Sequence, residues 1–143
     1  MDTKEGFLSP TLLIYSFGNS ITPFYGIYTN NYAGTAESNI YTGSHFVFGL
    51  ACDGTNVYAS LRNNNQILSI SLASGNPTLI ASNYTFNSPE GISLDSTNTN
   101  LYVCEFGFGR VLKINLSLQS VSNFFTIPNP LHIAIDQGDE YAY

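Results

Sequence analysis

Apolar residues in this chain recur at every second position in short runs, and clusters of Gly, Asn, Ser and Thr cut the runs apart. The runs repeat. Leu50-Ala51-Cys52, Ile92-Ser93-Leu94 and Ile133-Ala134-Ile135 each end at an aspartate, and Asp53, Asp95 and Asp136 lie 42 and 41 residues apart. A second apolar run follows each of them and carries a tyrosine, Tyr58, Tyr102 or Tyr141. The residues between the paired runs, Gly54-Thr55-Asn56 and Ser96-Thr97-Asn98-Thr99 among them, are turn formers, so each pair predicts a β-hairpin.

A third run aligns without a gap at an offset of 44, residues 67–72 against 111–116, and both copies alternate with the period of a half-buried strand. A fourth follows a polar turn, at 77–81 in one copy and 121–125 in the other. Four short strands in roughly 40 to 45 residues is the arithmetic of a propeller blade. No apolar period of 3.6 residues persists beyond two turns, so no helix of ordinary length is expected.

The fold class predicted is therefore all-β, with propeller blades of four antiparallel strands in a single unit spanning residues 1–143. About three and a half blades can be drawn, at 5–33, 49–81, 91–125 and, as a half blade, 131–143, with a long inter-blade connection at 34–48. In the first blade the strands are expected at 5–9, 12–15, 21–27 (interrupted by Pro23) and 28–33.

The residues that carry the pattern also carry a resemblance. Pro89-Glu90-Gly91-Ile92-Ser93-Leu94-Asp95, then Leu101-Tyr102-Val103-Cys104-Glu105, then Gly109-Arg110-Val111-Leu112-Lys113-Ile114, resembles the NHL repeat, where P-x-G-I-x-x-D precedes L-Y-V-x-D and N-x-R-I-x-x-I. Tyr32-Ala33-Gly34-Thr35-Ala36 is similar to the A-G-T-x stretch that joins NHL blades. The copy at Val47-Phe48-Gly49 lacks the proline, His132 replaces the glycine, and Leu61 stands where the pattern has an acid. Gluconolactonase-like and streptogramin-lyase-like propellers have similar strands and remain alternatives. The resemblance implies a six-bladed ring of roughly 250 residues, more than this chain supplies. Closure then calls for further blades from a longer protein, from associating copies or from a partner. The stop at Tyr143, halfway through a blade, favours the reading of a fragment.

Composition narrows the partners. Four basic residues stand against ten acidic ones, and Lys4, Arg62, Arg110 and Lys113 are scattered, so nucleic acid is not an expected partner. Charged residues make up only 10% of the chain, and a neutral-polar surface of this kind leans towards a secreted, cell-surface or particle-associated protein. The N-terminal run is broken by Pro10 and preceded by acids, which fits neither a signal peptide nor a membrane span, and no membrane insertion is expected. Cys52 and Cys104 are read as buried free thiols, and Asn83 and Asn115 begin glycosylation sequons.

The repeated aspartates are best read as turn residues accepting backbone N–H groups. Glu90 and His132 are more informative because their sister copies hold Phe48 and Leu131, and Gly49 and Gly91, respectively. The resemblance places these positions near the central channel, where related lyases and lactonases hold a divalent metal. Glu90 and His132 are thus the catalytic candidates, and Glu90, Glu105 and His132 the metal candidates, although one imidazole and two carboxylates make a sparse ligand set. No cofactor is predicted, and a divalent metal is kept as the alternative. Phe106 and Phe108, which replace Arg62 and Asn64 of the preceding copy, form with Arg62 a candidate interaction surface. The function expected is a non-catalytic binding or structural scaffold contacting a protein or glycan through loops and rim. Alternatives are a metal-dependent lyase or lactonase, and a self-assembling coat or particle component whose copies complete the ring.

Overall fold

The computed structural model describes residues 13–18, 25–30, 37–136 and 138. Eleven strands form three antiparallel sheets among them. The first sheet holds β1 (Leu13–Gly18), β2 (Tyr25–Asn30) and β3 (Glu37–Gly43) in that order. The second holds β4 (Gly49–Cys52), β5 (Asn56–Leu61), β6 (Gln66–Ser71) and β7 (Pro77–Leu79). The third holds β8 (Pro89–Leu94), β9 (Asn100–Glu105), β10 (Arg110–Asn115) and β11 (Ser120–Thr126). Within each sheet every strand pairs with the next in sequence, as short polar turns require.

Alternation places the two faces of each inner strand in different cores. Val57, Ala59 and Leu61 of β5 pack with Ile27 of the first sheet, whereas Tyr58 on the opposite face joins Ile92, Leu101 and Val103 of the third. Leu101 and Val103 of β9 face the second sheet, while Tyr102 and Cys104 face Ile133 and Ile135. Sheets are therefore stacked face to face, and their middle strands are buried on both sides.

The repeated glycines are explained by this stacking. A Cβ on Gly49 would lie 2.5 Å from the Glu90 carbonyl oxygen, and one on Gly91 would lie 2.6 Å from that of Leu131. Successive innermost segments thus approach backbone to backbone, which only glycine permits. His132 occupies the corresponding place in residues 131–135.

Registers identify the first sheet. Ser16 pairs with Ile27 as Ser60 pairs with Ile67 and Cys104 with Val111, so β1, β2 and β3 are the counterparts of the second, third and fourth strands of a four-stranded sheet. This corrects the reading of residues 34–48 as a connection, because β3 lies within them, and it moves the third and fourth strands from 21–27 and 28–33 to 25–30 and 37–43. The outermost strand of a blade is weakly marked, since β7 is exposed at all three residues and β11 nearly throughout, and the two that are expected, at 77–81 and 121–125, are legible by their alignment with each other. The expected strand at 5–9, Pro23 and Tyr141 lie outside the described residues.

The turn aspartates act as expected. Asp53 accepts the N–H groups of Thr55 and Asn56 at 2.8 and 2.7 Å and the Tyr58 hydroxyl at 2.8 Å. Asp95 accepts those of Thr99 and Asn100 and the Asn100 amide Nδ2 at 2.6 Å. Burial alone would raise both carboxyl pKa values, but these hydrogen bonds together hold them below the ordinary value. The reading of two buried thiols holds for one. Cys104 is buried, and Cys52 is exposed at the end of the short strand β4, where its sulfur accepts the Gly54 N–H.

Candidate functional site

The loops at the N-terminal ends of β4 and β8 and the turns after β5 and β9 gather at one end of the stacked sheets. Each of those turns is a short 3₁₀ segment, Arg62–Asn64 and Phe106–Phe108, closed by a residue in the left-handed region, Asn65 and Gly109. Two ion pairs organise this end. Arg62 Nη1 lies 3.1 Å from Glu90 Oε1, joining the second sheet to the third. Arg110 Nε donates to Glu105 Oε2 at 2.6 Å across the β9–β10 hairpin.

Glu105 stands where the preceding sheet has Leu61, and it is fully buried. Its carboxylate also accepts the Asn87 N–H at 2.9 Å and the Tyr84 hydroxyl at 3.3 Å, while Arg110 Nη2 donates to that same hydroxyl at 2.5 Å. The group fastens the loop leading into β8 to the hairpin behind it. Burial and then the Glu105 charge push the Tyr84 hydroxyl pKa up, and Glu105 raises that of Arg110.

Glu90 is 5% exposed, and its Oε1 faces Arg62 as a charge partner without an aligned hydrogen bond. The Glu90 carbonyl accepts the Ser60 hydroxyl, a second tie between the sheets. Burial and, after it, the Glu90 charge push the Cys104 thiol up to about 11.

The three residues expected as metal ligands are placed apart in their chemistry. Glu90 is held by Arg62 and Glu105 by Arg110, Tyr84 and Asn87, while His132 is exposed in residues 131–135. Among the described residues no three His, Cys, Asp or Glu side chains converge as a metal-holding group. His45 meets Ser44 Oγ at 3.2 Å.

Of the expected interaction residues, Arg62 meets Phe106, whereas Phe108 lies against Arg110. The Arg62 guanidinium lies over the rings of Phe48 and Phe106, at 5.4 and 5.1 Å from their centroids, and Arg110 lies 5.1 Å from that of Phe108. Phe46 continues the row, 6.4 Å from Phe48. Phe46, Phe48 and Phe108 are 48%, 42% and 56% exposed. Both guanidiniums are neutralised from beneath by buried carboxylates, so what this end offers outward is aromatic surface stiffened by cation–π contacts. Sequence reasoning overlooked Phe46, Phe48 and Arg110. Arg110 and Glu105 flank a four-residue turn, and that spacing was the available signal for their cross-strand pair.

Comparisons with known proteins bear on the fold. No protein-family model matches the chain, and no curated protein does. Similar solved structures include one of a nidogen/laminin complex, at 23% identity and a TM-score of 0.74, covering 92% of this chain and 51% of that one. TolB from Acinetobacter baumannii matches at 14% identity and a TM-score of 0.74 over 90% of this chain and 34% of its own. An auxiliary nutrient binding protein from Bacteroides thetaiotaomicron matches at 19% and 0.73 over 94% and 33%. The chain thus spans about half or less of the length of these relatives. Together with the stacked four-stranded sheets, the likeness establishes the chain as all-β, built of β-propeller blades.

Proposed function

We propose that this chain is an NHL-type propeller whose role is non-catalytic binding, with a protein partner contacting the aromatic end formed by Phe46, Phe48, Phe106 and Phe108. The observation that carries this reading is that exposed Phe48 and Phe108 and half-buried Phe106 are laid against Arg62 and Arg110, each arginine fixed by a glutamate that is itself buried. Rigid aromatics lose little side-chain entropy on binding, and desolvating a neutralised arginine costs less than desolvating a free one. Fold neighbours that include a protein complex, nidogen/laminin, are in keeping with such a role. The NHL assignment rests on the P-x-G-I-x-x-D step and its following strands.

The test compares the wild-type chain with a Phe48→Ser, Phe108→Ser variant, each immobilised and exposed to extract of the source cells. A stoichiometric protein retained by the first and lost from the second, with unchanged circular dichroism, is the expected result. Equal retention, or none, overturns the assignment of this end. Elemental analysis separates the catalytic alternative: a stoichiometric divalent ion that disappears in His132→Ala would replace the scaffold reading with the metal-dependent one.

A further inference from the structure

The turn from β5 into β6 is rich in amides, Arg62-Asn63-Asn64-Asn65-Gln66, and its backbone requires only one of them. The counterpart Phe106-Gly107-Phe108-Gly109-Arg110 forms the same 3₁₀ segment and joins its strands in the same register, Glu105 with Arg110 as Leu61 with Gln66. Asn65 is accounted for, since it closes the turn in the left-handed region and its Oδ1 accepts the Ser88 N–H at 2.7 Å. Asn64 and Gln66 are not. Both are half-buried, and among the described residues their side chains have no hydrogen-bond partner.

They line a cavity of about 330 Å³ beside β6, whose other lining comes from the end of β7 and the loop leading into β8. Its apolar lining, Ile67, Ile80 and Phe86, is buried, while Ser82 and Thr85 are exposed. Those two hydroxyls likewise have no partner among the described residues. Tyr84 also lines the cavity, and its ring is fixed, because the hydroxyl is held between Glu105 and Arg110 and the ring meets Phe86 edge-on at 4.8 Å.

The loop that supplies half of this lining is fastened at several points. Ile80 donates its N–H to the Ile67 carbonyl at 2.9 Å, Ala81 to Gln119 Oε1 at 2.7 Å, and Asn87 to Glu105 Oε1 at 2.9 Å. The second and third sheets thus hold it from both sides. A preformed cavity with an apolar lining and a few polar groups converging on it has the build of a small-ligand site, and its rigidity lowers the cost of binding.

We propose that this cavity binds one neutral saccharide unit, recognised by Asn64 and Gln66. A carboxamide presents an acceptor oxygen and a donor nitrogen side by side, which matches the donor and acceptor capacity of neighbouring sugar hydroxyls. The buried apolar residues suit the C–H face of the ring. No acidic, basic or imidazole side chain among the described residues lines the cavity, and the chain carries a net charge of −6, so phosphorylated, sulfated or acidic sugars are disfavoured. An extended peptide would need a longer groove than the two short segments 64–67 and 79–86 enclose, at a volume near the small end of ligand cavities. The four phenylalanines of the aromatic end are not part of this lining, so the two sites are separate.

The test uses the whole 143-residue chain made in bacteria, which leaves Asn83 of the nearby sequon without a glycan. Methyl glycosides of glucose, galactose, mannose and N-acetylglucosamine are titrated singly to tens of millimolar, and the amide NMR shifts of the isotope-labelled chain are followed. For at least one of them saturable shifts centred on residues 64–67 and 79–86 are expected. Asn64→Leu and Gln66→Leu should each weaken that glycoside about tenfold, the worth of roughly one hydrogen bond. Asn39→Leu, which removes an exposed amide from β3, should leave its binding unchanged. The absence of a saturable shift with every glycoside overturns the proposal, as does saturation centred on other residues. A response to N-acetyl-triglycine amide and to none of the glycosides also overturns it and assigns the cavity to peptide. Should the leucine variants fail to fold, the wild-type titrations decide alone.

Discussion

Gly91 donates its amide N–H to the carbonyl of Leu131 at 2.8 Å, and a side chain on Gly91 would overlap the backbone of Leu131 and His132. The same contact recurs one sheet earlier between Gly49 and Glu90, so glycine sets the spacing of the innermost segments twice.

Replacing either glycine should force these segments apart. Gly49→Ala and Gly91→Ala are each expected to lose about 2 kcal/mol or more in urea denaturation, an overpacking cost. Gly54→Ala is the control: with φ at +89° and nothing near its Cβ, it should lose only about 1 kcal/mol, from backbone strain. Equal losses at all three would remove the close-approach explanation.

Arg110 compensates a carboxylate that has no access to water. Arg110→Gln should destabilise the chain by about 3 kcal/mol, since Glu105 is then left buried without its cation. Pairing it with Glu105→Leu recreates the Leu61 and Gln66 of the preceding hairpin and should recover part of that loss, with the remainder due to the Asn87 N–H left without an acceptor. A double-mutant cycle by thermal or chemical melting measures both.

The two thiols should differ in reactivity. Cys52 is exposed, whereas Cys104 is buried and its thiol is pushed up to about 11. One equivalent of a thiol reagent should react with the native chain at about pH 8, on Cys52, and two after denaturation. Labelling of Cys104 at a comparable rate would mean that the seam between the third sheet and residues 131–135 opens readily.

Acid should weaken the turns first. Asp53 and Asp95 have folded pKa values below the ordinary 3.8, so their contribution is present above the unfolded value and is lost as pH falls through the folded one. Stability should therefore decline as pH falls below the ordinary 3.8 and through the lower folded values, and Asp95→Asn should flatten that decline while lowering stability at neutral pH by about 1 kcal/mol. An unchanged acid slope in the variant would show that other carboxylates govern it.

The repeat, its strands and its turn aspartates could be read along the chain because each is a local matter. Alternation reports that two faces of a strand meet different surroundings, and Asp95 caps a turn four residues long whatever lies beyond it. β3 escaped that reading, and β7 was legible only through its alignment with the later copy, because the outer edge of a blade is mostly exposed and does not constrain which side chains it carries. The fate of the acidic residues was decided in three dimensions. Glu90 finds its cation in Arg62 of another sheet, and Glu105, in the slot that elsewhere holds Leu61, is tied to a loop some twenty residues earlier. Sequence by itself determined what each segment can become; which segments face one another, and so which charges are neutralised and which aromatics remain outside, was settled only when the sheets stacked.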